Sequence, residues 1–149
     1  MTTKGTKVHK GKEMDKPVQK RFAPIPVEAE MVGKKVLDAA YVVHSALGPG
    51  LLESVYEACL AHKLRQQKVL VETQVVMPVT FEGVQIETGL RLDLLAEKQV
   101  IVELKSVDTM IPLYEAQLLT YLKVTGLRLG YLINFNVVHL KDGVKRMVN

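Results

Sequence analysis

The stretch Gln99-Val-Ile-Val-Glu-Leu-Lys-Ser-Val107 has the composition of a buried strand, yet it carries Glu103 and Lys105 in its middle. Charges inside such a strand are expensive to desolvate unless something compensates them. Asp93 stands upstream with nine residues between it and Glu103, so the acids and the lysine form an Asp-x9-Glu-x-Lys pattern. Downstream, Gln117 and Tyr121 are spaced i and i+4, on one face of a helix. Upstream, Glu53 and Tyr56 are spaced i and i+3 behind Gly50. Carboxylate oxygens of this kind suit a hard divalent cation.

The elements that must bring these residues together follow from periodicity. The segment from Pro26 to Gly48 has helical apolar spacing at Val32, Val36, Ala39, Ala40, Val43 and Leu47, and Gly48-Pro49-Gly50 stops it. A second helix is expected over about 51–67, with Leu52, Val55, Cys59, Leu60 and Leu64 as its stripe. Three strands follow, in "LVETQVVMPVTFEG", "VQIETGLRLDLLA" and "VIVELKSV". Pro78 marks an edge strand or a bulge, Glu82-Gly83 a turn, and residues 97–99 a short hairpin loop. Pro112 and Gly126 bound a third helix. A buried strand, "LGYLINF", and a final extension complete the order α-α-β-β-β-α-β-β. The expectation is an α/β domain with helices covering the sheet.

In the two central strands the even positions Leu90, Leu92, Leu94 and Val100, Val102, Leu104 are apolar. The odd positions carry Arg91, Asp93, Glu103 and Lys105. Strand alternation therefore expects one buried face and one charged face. With the loop at 97–99, Asp93 falls opposite Glu103 and Arg91 opposite Lys105. Like charges in register destabilise a sheet. Two opposed carboxylates become favourable when a divalent cation lies between them. A register shifted by two would instead pair Asp93 with Lys105 as an ordinary cross-strand ion pair.

Set on this frame, the motifs are similar to those of the small GxxExxY family of the PD-(D/E)XK nuclease-like superfamily. The naming motif is Gly50, Glu53 and Tyr56, and the resemblance runs from about Glu28 to Asn149. Tyr114 departs from it, standing where the family is associated with a histidine. The resemblance implies a restriction-endonuclease-like core with a mixed β-sheet flanked by helices. It implies that Asp93, Glu103 and the Leu104 carbonyl ligate Mg²⁺ or Mn²⁺, with Glu53 completing or supporting the site. It implies that Lys105 orients or helps deprotonate an attacking water. Gln117 and Tyr121 look like a pair that supports the metal site or the DNA in superfamily exonucleases. The implied activity is hydrolysis of DNA phosphodiester bonds, with RNA second. The alternative is a nuclease-fold binding or assembly module without turnover.

Charge and composition bound the rest. Residues 1–24 hold seven Lys or Arg and two acids, and the remaining chain holds 13 Lys or Arg and 14 acids. The net charge of +4 therefore comes from the N-terminus. Residues 1–26 are expected to be a basic disordered tail, either holding a polyanion or solubilising the chain, ahead of a domain at 27–149. There is no secretory signal pattern and no run of about 18 apolar residues, so no membrane association is expected. The single Cys59 fits a reducing, cytoplasmic setting. No Cys/His spacing suggests zinc, and no glycine-rich nucleotide loop is present. A chain this small without a DNA-binding module is expected to work as a homodimer or with a protein partner.

Overall fold

Helix α1, Val27–Leu47, ends where Gly48 turns to a positive φ of 71°. Helix α2, Glu53–Gln66, follows after the Gly48–Leu52 loop. Strands β1 (Val71–Phe81), β2 (Val84–Ala96) and β3 (Val100–Lys105) form an antiparallel meander. Helix α3, Pro112–Thr125, then crosses to β4, Leu129–Asn134, which runs parallel to β3. Strand β5, Val144–Val148, closes the far edge antiparallel to β4 after a 3-10 turn at Leu140–Gly143. The computed structural model describes residues 23–149. The expected tail at 1–26 therefore lies, through residue 22, outside the described residues.

The five strands lie in the order β1-β2-β3-β4-β5, a mixed sheet with helices on both faces. This is the expected α/β, restriction-endonuclease-like architecture. Helices α1 and α2 pack on one face, where Val36, Ala40, Leu60 and Leu64 meet Val102, Leu104, Tyr131 and Ile133. Helix α3 covers the other, where Leu118 and Leu122 meet Leu92, Ile101 and Leu132. Each fully buried side chain of this size contributes about 1.5–3 kcal/mol, so the two cores fix the central strands from both sides.

The turn chemistry follows the sequence. Glu82 and Gly83 both take positive φ, the two-residue hairpin conformation, between the paired Phe81 and Val84. The register of β1 and β2 shifts between Met77 and Val79, around Pro78, on the outermost strand. At the other end Gly126 adopts the left-handed conformation and caps α3 through Leu122 O.

Two expectations are corrected. The buried face of α2 is Tyr56, Leu60, Ala61 and Leu64, whereas Leu52 is 74% exposed and Val55 faces out. The aromatic ring of Tyr56 buries more area than Val55 would and stacks on Phe135, which rotates the helix face toward it. The even face of β2 is also not continuous. Leu90 and Leu92 pack on the α3 side, while Leu94 and Ala96 pack on the α1/α2 side. The change of face falls at Asp93, opposite Gln74, which takes a φ of 52° and drops out of the ladder between Thr73 and Val75.

Candidate metal and nucleic-acid site

Strands β2 and β3 are held by the hairpin loop at 97–99, with Ala96 opposite Val100 and Leu94 opposite Val102. That is the expected register, and it makes Asp93 and Glu103 the next opposed residues. The ladder stops one step before them. Its next backbone hydrogen bonds are replaced by side chains: Asp93 N–H donates to Glu103 Oε1 at 3.2 Å, and Leu104 N–H donates to Asp93 Oδ2 at 2.9 Å. Each carboxylate caps the backbone of the opposing strand where the strands part. The expected Arg91–Lys105 opposition does not occur, because Arg91 lies beyond the divergence and pairs with Val76 of β1.

The electrostatics of this junction are severe. Glu103 is 5% exposed. Burial, then the charge of Asp93 and a hydrogen bond with its carboxyl, push the Glu103 pKa up to about 9 from 4.5. None of the three ion pairs among the described residues involves either acid. A buried carboxyl facing a second acid, without a salt-bridge partner, takes up a proton or a cation.

Two cavities open on either side of the divergence. One, of about 360 Å³, is lined by Leu52, Glu53, Glu57, Gln74, Asp93 and Leu104. Glu53 enters it from the first turn of α2. Its pKa is raised by burial first and by Asp93 second, and Lys105 pulls it down. Glu53 thus lies in the field of Asp93. It does not complete a cluster of three carboxylates: among the described residues, no three His, Cys, Asp or Glu side chains come together closely enough for that.

The second cavity, of about 410 Å³, lies under α3 and is lined by Lys105, Tyr114, Gln117, Thr120 and Tyr121 among others. Lys105 Nζ sits 4.3 Å from the centre of the Tyr114 ring, a cation–π contact. Gln117 Nε2 donates to Tyr121 Oη at 2.9 Å, so the i, i+4 pair forms on α3. Burial, and then Glu103, raise the Tyr121 pKa, keeping the phenol protonated and able to donate. The six candidate side chains therefore gather around the point where β2 and β3 part, with Glu53 and Asp93 lining one cavity and Lys105, Gln117 and Tyr121 the other.

Several participants were not visible in the sequence. Gln74, whose Nε2 donates to Glu57 Oε1 at 2.6 Å, belongs to no motif in the sequence. Asn134 is buried, 2% exposed. Its Oδ1 accepts from Val107 N–H and Asn136 N–H, and its Nδ2 donates to Val107 O, so it fastens the chain leaving β3. The Tyr114 contact with Lys105 gives a role to the position where the sequence departed from the family pattern. His44 is buried and structural, with Nε2 donating to Val137 O at 2.8 Å.

The sequence model of one protein family, described as the PD-(D/E)XK nuclease superfamily, matches residues 30–147. No curated protein and no solved structure matches the chain. No helix among the described residues is long and apolar enough to cross a membrane.

Proposed function

Since the chain belongs to the PD-(D/E)XK nuclease superfamily, we propose that it is a divalent-metal-dependent nuclease that hydrolyses phosphodiester bonds of DNA, and of RNA second. Within the superfamily, Gly50, Glu53 and Tyr56 favour the GxxExxY group. The observation that carries the reading is the opposed pair Asp93 and Glu103 where β2 and β3 part, with Glu103 buried and its pKa raised by that burial and by Asp93.

The donor set fits Mg²⁺ or Mn²⁺. These ions take oxygen ligands, use one or two protein carboxylates, and keep waters and substrate phosphate in the remaining positions. Asp93, Glu103 and the Leu104 carbonyl would hold the ion. Glu53, across the same cavity, would hold water on it. Bound there, the ion supplies an acidified water and neutralises charge on the scissile phosphate. Lys105, held over the Tyr114 ring at the end of β3, would orient or help deprotonate the attacking water. Gln117 fixes the Tyr121 phenol, which would donate a hydrogen bond to the phosphate from the α3 side.

The test is cleavage. Purified protein is incubated with supercoiled, linear and single-stranded DNA and with RNA, in Mg²⁺, Mn²⁺ or EDTA. Glu103→Ala and Lys105→Ala proteins, prepared identically, run alongside. Metal-dependent cleavage lost in both variants supports the reading. Equal cleavage by all three proteins exposes a contaminant. No cleavage of any substrate, with folded protein, shifts the reading to a binding module without turnover.

A further inference from the structure

Five residues form a closed ring of contacts that joins the loop before α2 to the end of β3. Lys105 O accepts from Phe135 N–H at 2.9 Å. The Phe135 ring stacks on Tyr56, with centroids 4.6 Å apart and planes 10° from parallel. Tyr56 Oη accepts from Leu51 N–H at 3.1 Å and donates to Gly48 O at 2.6 Å. Leu51 O accepts from Ser106 Oγ at 2.6 Å, and Ser106 follows Lys105 in sequence.

Two features make this ring more than core packing. Both polar groups of Leu51 are used, one by α2 through Tyr56 and one by β3 through Ser106. Leu51 itself is exposed, so burial does not hold it in place. The loop it belongs to, with positive φ at Gly48 and Gly50, leads straight into Glu53. Beyond the packing of Tyr56, Leu60 and Leu64 on the sheet, the loop entering the first turn of α2 is therefore tied to the end of β3 through the N–H and C=O of one residue.

We propose that Tyr56 and Ser106 are positioning residues that hold Glu53 in register with Asp93, Glu103 and Lys105. On this account the tyrosine of the Gly50-x-x-Glu53-x-x-Tyr56 motif serves the glutamate three residues before it, by folding the loop back onto the end of β3. The inference rests on the proposed metal site and adds the device that aligns its helix acid.

The test reads Mn²⁺ affinity by electron paramagnetic resonance, without any nucleic acid. Wild type, Tyr56→Phe, Ser106→Ala, Glu53→Gln and the Tyr56→Phe/Glu53→Gln double variant are compared, each with its unfolding midpoint. Tyr56→Phe keeps the stacked ring and removes only the hydroxyl. Residues that orient a metal site typically change affinity by about 10–100-fold. Tyr56→Phe and Ser106→Ala should each weaken Mn²⁺ binding about tenfold, as Glu53→Gln does. In the Glu53→Gln background, Tyr56→Phe should change affinity by less than about twofold, because its effect passes through Glu53. Wild-type affinity in folded Tyr56→Phe and Ser106→Ala overturns the inference, as does an equal loss in both backgrounds. A wild-type protein that binds no Mn²⁺ overturns the proposed metal site itself, a different result.

Discussion

Replacing Glu103 by glutamine should stabilise the metal-free protein, and the size of the effect should grow with pH. The folded-state pKa of about 9 lies above the unfolded value of 4.5, so the folded chain holds one more proton than the unfolded chain between these limits. Folding stability from this group is complete below pH 4.5. It then falls by about 1.4 kcal/mol per pH unit and levels out above about 9. At pH 7 the loss is about 3 kcal/mol, from 2.5 units of that slope. Glutamine keeps the Oε1 that accepts from Asp93 N–H and offers an amide in place of the carboxyl proton. The variant should therefore match wild type at pH 4.5 and exceed it by about 3 kcal/mol at pH 7, a rise of roughly 10 °C in midpoint. Denaturation of both proteins in EDTA at pH 4.5, 7 and 8.5 measures it. A difference that does not change with pH would refute the argument, because it would mean that Glu103 ionises in the fold as freely as in the unfolded chain.

Other expectations follow from the same geometry. Lys105→Ala should lower cleavage at least about 100-fold while leaving Mn²⁺ affinity within about threefold, since the side chain acts on water and phosphate and not on the ion. Comparing turnover with a Mn²⁺ titration separates these effects. Tyr121→Phe and Gln117→Ala should each reduce turnover about tenfold, and the double variant no further, because the amide acts by orienting the phenol. Gly143→Ala should destabilise the fold by about 1–3 kcal/mol with no change in Mn²⁺ affinity per folded molecule, because a Cβ there would run into the Asn134 carbonyl oxygen. Thermal unfolding reads the first part and spectroscopic titration below the midpoint the second.

Much of the architecture was legible because local signals agreed with one another. Pro112 and Gly126 bounded α3, and Pro78 marked both an edge strand and a register shift. The hairpin loop at 97–99 set the register that brings Asp93 opposite Glu103. Alternation failed where backbone geometry departs from it. A left-handed Gln74 leaves no trace in composition, so the change of face at Asp93 was invisible. The α2 stripe was misread because Tyr56 competes with Leu52 and Val55 for the core, and only tertiary packing on Phe135 decides the winner. The site was legible as a set of residue types and not as a geometry. The family resemblance, not spacing, put Glu53 with the acids, and the sequence held no sign that the backbone of Leu51 ties the start of that helix to the end of β3.

The account turns on the acid pair being a cation site. Calorimetric titration of Mn²⁺ into the protein at pH 7, repeated in two buffers of different ionisation enthalpy, tests that most directly. Binding should displace the proton that burial and Asp93 hold on Glu103. The prediction is saturable binding with release of about one proton per ion bound, both lost in Glu103→Ala. Absence of binding, or binding and proton release undiminished in that variant, would contradict it.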